Sequence, residues 1–451
     1  MNAVPLLVHG DSAAVFAWRP DGPVTVGDYL ADVRTLAARL PATGYLLNLC
    51  HDRYRFAVGF AAGLLRGMTS LQPSSQSPET FRRLQDEYPD LIALCDSDTD
   101  VPDLPRFAFP SLDRAAKTPF AEGIPSIPAD HLAAILFTSG STGQPQAQRK
   151  TWGKLALNGR AEAVALGLDI KPHVLVGTVP VQHSYGFEST FLLALHGGCA
   201  FWAGKPFYPQ DIASALAAVP QPRLLVTTPF HLSALLASGI ELPAIDILLS
   251  ATAPLSTTLA AEAETRTGAP MLEIYGSTES GQLASRRTTN GAAWTLLPGV
   301  RLEQAGDETA ACDGHVEGRI VLSDVIELLP DNRFLLHGRH VDLINIAGKR
   351  TSLAYLNHQL GAVPGVVDGA FFLPDEEGPD GITRLTAFVV APGLTARQIT
   401  VALRERIEAI FLPRPLVLVD ALPRNSTGKL PRGDLQALYA EKVERAGHGR
   451  G

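Results

Sequence analysis

Residues 133–150 read Ala-Ala-Ile-Leu-Phe-Thr-Ser-Gly-Ser-Thr-Gly-Gln-Pro-Gln-Ala-Gln-Arg-Lys. Ala133 to Phe137 has the length and apolar content of a buried strand, and it runs directly into Thr138, Ser139, Gly140, Ser141, Thr142 and Gly143. Two glycines let the backbone turn tightly with its N–H groups inward, and the hydroxyls add donors, so such a loop can surround phosphate oxygens. The same composition also suits a flexible Ser/Gly linker. A Walker P-loop is excluded, because no Lys followed by Ser or Thr closes the loop. A nucleophile elbow is excluded too: Ser141 lacks a glycine two positions before it.

Working outward from this stretch, the upstream chain alternates strand and helix. Val26–Leu40 is predicted helical with Asp28 at its cap and Pro41 as a stop, Tyr45–Cys50 a strand, His51–Met68 and Ser77–Tyr88 helices, and Leu91–Cys95 a second strand. This alternation predicts a mostly parallel sheet covered by helices. Pro102–Pro128 reads as an irregular connector. Downstream, Trp152–Leu166 is predicted helical. Three buried-looking strands then end in small or polar groups: Val174–Val179 before His183, Tyr185 and Phe187, Leu224–Thr228 before Phe230, and Ile247 onward through Ala251, Thr252 and Ala253. Ligands of open α/β sheets sit beyond such carboxyl ends, so these should line one crevice with the Ser/Thr/Gly loop. His183, Tyr185, Phe187, Phe230, Ala251, Ile274 and Gly276 are candidates for a flat apolar slot, or else ordinary core packing. His196-Gly197-Gly198 reads as a turn.

Met271–Gly281 contains Tyr275, which can stack on a base, Gly276, which permits close backbone approach, and Ser277, Thr278 and Glu279. A hydroxyl beside a carboxylate is the oxygen donor set that Mg²⁺ prefers, although a lone Y-G-S-T-E is commonly a surface turn. Gly318–Asp324 is expected to be a strand ending in a carboxylate, followed by Gly338-Arg339. Beyond Asp342 the chain changes character. Strands Ala370–Leu373 and Thr386–Val390, a helix Thr395–Phe411 and a lysine-bearing turn around Lys429 predict a small α+β unit.

At 451 residues the chain exceeds one core and points to two or more domains. A net charge of −8 without clustered Lys and Arg argues against a nucleic-acid surface. Cys50, Cys95, Cys199 and Cys312 are widely spaced, which suggests neither a zinc site nor a disulfide framework but thiols in a reducing cytoplasm. No basic leader or span-length apolar run stands out, so a soluble, cytoplasmic protein is expected. From position 340 onward thirteen basic residues face twelve acidic ones, making this the less repulsive region for an acidic partner. Oligomeric state is not readable.

Taken together, these segments resemble the ordered motifs of the adenylate-forming enzymes, the superfamily of acyl-CoA synthetases, peptide-synthetase adenylation domains and firefly luciferase. Thr138–Gly143 resembles T-S-G-[ST]-T-G-x-P-K, with Gln146 in place of the usual lysine and Arg149 and Lys150 the nearest cations. Tyr275–Glu279 resembles Y-G-x-T-E, and Asp324 stands fourteen positions ahead of Gly338, as the family's ribose-binding aspartate does before its Gly-Arg hinge. Val341 stands where relatives have Asp or Lys. The segment around Gly348 resembles the thiol-tunnel loop, and Leu422–Arg432 resembles the terminal P-x-x-x-x-G-K motif.

The resemblance implies an α/β fold with a large N-terminal domain, residues 1–339, and a small mobile α+β domain, residues 340–451. It implies ATP as cosubstrate and Mg²⁺ at Glu279. Thr138–Gly143, Ala251–Ala253, Tyr275–Thr278, Asp324, Arg339 and Lys429 would contact nucleotide, with Lys429, Thr278, Glu279 and His183 catalytic. The trimmed length looks like the AMP-ligases of aryl-polyene and xanthomonadin pigment pathways, which load an aromatic acid onto the phosphopantetheine of an acyl carrier protein. Alternatives are a free-CoA ligase for an aromatic or medium-chain acid and, from another class, a catalytically silent nucleotide-binding regulator.

Overall fold

A computed structural model describes residues 2–73, 75–96, 104–112, 123–139, 145–306, 308–339, 343–346, 349–374, 384–425, 428 and 430–444. A six-stranded sheet runs in the order Pro145–Thr151, Leu132–Ser139, Thr69–Gln72, Tyr45–Asn48, Leu91–Cys95, Arg106–Ala108. All its pairings are parallel except that of its first two strands. An eleven-stranded sheet is parallel at its centre, where Met271–Ser277, Ile247–Ser250, Arg223–Thr227, Val174–Gly177, Ala200–Trp202 and Val15–Arg19 lie side by side. Antiparallel strands extend both ends, among them Gly281–Arg287 and Trp294–Leu296 on one side.

The helix Arg53–Leu65 is apolar almost all round and buried along nearly its whole length, as a helix between two layers must be. It packs with Trp152, Phe187, Phe191 and Phe201 in one core that also takes Leu46, Ala134 and Leu136 from the first sheet and Leu175, Leu224 and Leu249 from the second. Its glycines make this possible: a Cβ at Gly59 would lie 2.5 Å from Leu94 Cδ2. Other helices start where the sequence supplies caps. Thr25 and Asp28 form a capping box at Val26–Arg39, and Ser77 caps Pro78–Glu87 with proline at the first helical position.

The C-terminal region carries a hairpin, Leu343–Ile346 with Lys349–Ser352, and a three-stranded sheet of Asp368–Phe372, Thr386–Val390 and Leu416–Leu418. Its two apolar clusters draw only on residues after position 343. No helix among the described residues is long and apolar enough to cross a membrane.

Several expectations change: the cap expected at Asp28 is Thr25, and His196 and Gly197 end the helix Leu193–Gly197 rather than forming a turn. The helix foreseen over 395–411 covers only Ala396–Arg404, after which a separate short turn of helix spans Ala409–Phe411. The 318–324 segment is not one strand: Arg319–Val321 belongs to a small three-stranded sheet, and Asp324 begins Asp324–Leu329 at the edge of the large one. The 102–128 connector contributes two short strands, Arg106–Ala108 and Ser126–Pro128.

Candidate active site

The strand Leu132–Ser139 pairs antiparallel with Pro145–Thr151, Ser139 opposite Pro145 and Thr138 opposite Gln146. Thr138 and Ser139 therefore stand at the mouth of a hairpin. Gly140, Ser141, Thr142 and Gly143, together with Gly348 and Lys429, lie outside the described residues. Gln146 and Arg149 are exposed and Lys150 is buried.

The second chemical stretch is also a hairpin. Met271–Ser277 pairs with Gly281–Arg287, with a register shift at Tyr275/Gly276. Ser277 and Ser280 close its turn: each side chain accepts from the other's backbone N–H at 3.2 Å. Gly276 is required here, since a Cβ would lie 2.3 Å from the Gly281 carbonyl oxygen. Tyr275 donates its hydroxyl to Asp324 Oδ2 at 2.9 Å, across forty-nine positions of sequence. Its ring packs near Trp294 and Phe334, with centroids 5.7 and 5.6 Å away. Arg339 ends the strand Arg333–Arg339 with its backbone opposite Asp324. Thr278 donates to Ser184 Oγ at 3.2 Å, which joins this turn to the segment carrying His183. Lys150 Nζ donates to the Glu279 main-chain carbonyl at 2.7 Å.

Two side chains fix the segment that leads to His183. Arg53, 2% exposed, donates to the carbonyls of Val179, at 2.8 Å, and Gly204. Gln182 donates to the Cys50 carbonyl at 2.8 Å. His183 then caps a short helical turn, its Nδ1 accepting from the Tyr185 N–H. Sequence reasoning missed Arg53, Gln182 and Ser184. It also missed the buried hydroxyls Thr178 and Thr228 that flank His231 Nδ1 at 3.0 and 3.2 Å.

The proposed pocket residues divide. Tyr185, Ala251 and Ile274 share one apolar cluster. Tyr185 is nearly sealed and donates its hydroxyl to the Leu249 carbonyl at 3.0 Å, so it braces the strand end. Phe187 is completely buried against Phe56, Phe60 and Phe191. It is a core residue behind the site, contrary to the expectation of a pocket wall. Phe230 is half exposed and faces the tail: a Cβ at Gly428 would stand 3.0 Å from Phe230 Cβ. Gly428 is held there by Arg424, which donates to its carbonyl at 2.8 Å while gripping both oxygens of Asp368 at 2.7 Å.

Beneath the turn lies a buried polar layer. Glu188 sits in a turn of π-helix, Phe187–Leu192, and accepts from Asn158 Nδ2 at 3.1 Å. Burial pushes its carboxyl up to about 7, against the pull of Lys150. Burial pushes Glu162 up to about 8. The Lys150 ammonium is shifted down by the same desolvation.

Among the described residues no cluster of three His, Cys, Asp or Glu could hold a metal alone. Mg²⁺ on a nucleotide is usually bound through one or two carboxylates plus the substrate's phosphates. A partly exposed Glu279 beside the Thr278 hydroxyl fits that donor set.

Tyr275 bonded to Asp324, beside a turn of hydroxyls and a carboxylate at strand ends, is the kind of arrangement that a nucleotide-handling α/β enzyme uses. The family model for AMP-binding enzymes matches residues 68–324. The chain is 31% identical over 279 residues to a 4-coumarate–CoA ligase of Rhodobacter capsulatus, covering 61% of this chain and 68% of that one. It also superposes on an anthranilate CoA ligase in complex with anthranoyl-AMP, with TM-score 0.82 and 16% identity over 98% of this chain and 99% of that one. ATP-bound MatB from Rhodopseudomonas palustris gives TM-score 0.80 and 20% identity over 96% and 97%. The chain belongs to the AMP-binding enzyme family, the adenylate-forming enzymes, and is an AMP-forming acid–thiol ligase.

Proposed function

We propose that the protein uses ATP and an aromatic carboxylic acid to make an acyl-adenylate, releasing pyrophosphate, and then passes the acyl group to the phosphopantetheine thiol of an acyl carrier protein. The observation that carries the adenylation half is the Tyr275–Asp324 hydrogen bond at 2.9 Å beside the Thr278–Ser184 contact at 3.2 Å, which brings together from distant segments the side chains that would meet nucleoside and phosphate.

A carboxylate is a poor acyl electrophile until its oxygen carries a leaving group. Attack of a carboxylate oxygen on the α-phosphorus expels pyrophosphate and leaves a mixed anhydride, but two anions must first meet. Donors placed where charge develops lower that barrier by several kcal/mol. Asp324 would accept from the ribose hydroxyls, oriented by Tyr275. The Thr138–Gly143 segment and Thr278 would donate to phosphate, and Glu279 would hold Mg²⁺, which supplies charge neutralisation when bound. Lys429 would bridge carboxylate and α-phosphate. The position of its neighbour Gly428 against Phe230, at the N-terminus of the helix Pro229–Ala237, supports this role. Residues 340–451 would turn about 339–342, exchanging Lys429 for the Gly348 loop so that a thiol can enter.

An aromatic acid is supported by relatives named for 4-coumarate, indoleacetate and 2-succinylbenzoate, while others are named for malonate and medium-chain fatty acids. The carrier-protein acceptor rests on the near-neutral C-terminal region, against an acidic remainder. A second reading, free CoA as acceptor, is favoured by those same relatives being CoA ligases. ATP and a free thiol suit a cytoplasmic setting.

Hydroxamate trapping across a panel of acids tests the first half, and no acid-dependent pyrophosphate release would refute it. Comparing thioester formation with CoA and with holo carrier protein separates the acceptors. Lys429→Ala should abolish acyl-AMP formation while still allowing transfer from supplied adenylate, and Gly348→Leu should do the reverse.

A further inference from the structure

We propose that Lys150 is a positioning residue: its buried ammonium fixes the main chain at Glu279 and so sets the Thr278–Glu279 turn against the metal-bearing triphosphate. This rests on the reading of Glu279 as the magnesium ligand.

Lys150 lies on the returning strand of the phosphate-loop hairpin, and the ladder slips by one residue between Lys150 and Thr151. Such a bulge re-aims side chains, here at the point where the strand leaves its sheet. The side chain is 5% exposed, and its ammonium meets the Glu279 carbonyl at 2.7 Å. The strand holding Lys150 belongs to the six-stranded sheet and Glu279 to a hairpin of the eleven-stranded one, so this bond ties the two together.

The neighbouring positions grip the same region. Thr151 donates its N–H and its hydroxyl to Glu317 Oε1, both at 2.7 Å, and Lys154 donates to the Gly314 carbonyl at 2.6 Å. A small cavity lined by Lys150, Asn158, Glu188, Ser280 and His315 lies directly below the turn. The negative charges of Glu188, Glu317 and Glu279 act on the ammonium and favour its charged form. A buried cation with several donors can balance that charge and still spend one donor on main chain. The cation missing at Gln146 thus has a counterpart at the base of the hairpin, aimed at the metal-binding turn rather than at phosphate.

The test uses the full chain with Lys150→Met and, because Glu188 would then be buried unpaired, the double variant Lys150→Met/Glu188→Gln. Three quantities are read: hydrogen exchange of the Ser277–Gly281 amides, affinity for ATP with and without Mg²⁺ by calorimetry, and the KM for the acid. The expected result in the double variant is faster exchange at 277–281, a roughly tenfold loss of the Mg²⁺-dependent part of ATP affinity, and an acid KM within about twofold of wild type. Lys150→Arg, which keeps a donor, should recover part of the affinity. Unchanged exchange and an unchanged Mg²⁺ contribution in the double variant would overturn the proposal, as would an equal loss of every parameter. If wild type itself gains no ATP affinity from Mg²⁺, the assignment of Glu279 fails instead.

Discussion

At Thr252 the backbone takes φ 79°, a left-handed conformation that a β-branched residue adopts only under constraint. It follows the strand Ile247–Ser250, at the carboxyl end of the sheet's parallel centre. Strain of roughly 1–3 kcal/mol at such a place is typical of ligand sites. Thr252→Gly should therefore raise the urea midpoint while lowering the adenylation rate; a loss of stability would show that Thr252 is relaxed in its setting. Tyr275→Phe removes the donor to Asp324, and a hydrogen bond to a charged group is worth about 1.5–3 kcal/mol. A roughly tenfold or greater rise in the KM for ATP, with the acid KM unchanged, is expected from initial rates. Tyr275 was legible in sequence through its motif and Thr252 through its place at the end of a buried-looking strand. Arg53 was not, since an arginine in the first turn of a helix ordinarily reads as a solvated cap. Its burial follows from two carbonyls, of Val179 and Gly204, brought over it by later parts of the chain.

Among the elements, the hairpin of Met271–Ser277 and Gly281–Arg287 depends on one bare backbone position. Gly276→Ala would force a Cβ to within 2.3 Å of a carbonyl oxygen. A destabilisation of about 2 kcal/mol or more by chemical denaturation is expected, with near-complete loss of adenylation. The strand cores announced themselves in the sequence through unbroken apolar runs such as Ala133–Phe137 and Leu91–Cys95. The strand Pro145–Thr151 did not. Its residues Pro-Gln-Ala-Gln-Arg-Lys-Thr have little β propensity, and only pairing with Leu132–Ser139 at the sheet's end makes them a strand. The helix Trp152–Ala165 adds a pH effect. Its Glu162 is fully buried with the carboxyl raised to about 8, so the folded state holds a proton that the unfolded chain releases near its ordinary value of 4.5. Stability from this group is complete below pH 4.5 and is lost as pH rises toward 8. Glu162→Gln should flatten that slope: its melting temperature relative to wild type should climb between acid and mildly alkaline pH. Parallel profiles would place the titration elsewhere.

For the molecule as a whole, the order of motifs along the chain told which segments must meet, and the two sheets explain how. The first carries the hairpin of Leu132–Ser139 and Pro145–Thr151, the second carries the Tyr275 turn, and a shared core fixes one against the other. What spacing could not convey is the set of ties across that joint, because Arg53, Gln182 and Lys150 act on main-chain carbonyls and such bonds leave no side-chain pattern. The tail depends on a tie of its own. Arg424→Ala would free both Asp368 and the Gly428 carbonyl, and it should slow acyl-AMP formation by an order of magnitude or more. Circular dichroism and transfer from supplied adenylate should change little. Equal slowing of both half-reactions would mean that Arg424 supports the fold generally.

The meeting of Gly428 with Phe230 has a kinetic meaning. A residue without a side chain presents only a few tens of Å² to the ring, worth on the order of 1 kcal/mol, so this contact alone favours the seated arrangement by a factor of roughly five. On the proposed two-step scheme, a grip that light suits a part that would withdraw after each adenylation. A bulkier residue at 428 would either be refused entry or, once in, be slow to let go, and turnover would slow at the separation that this scheme requires.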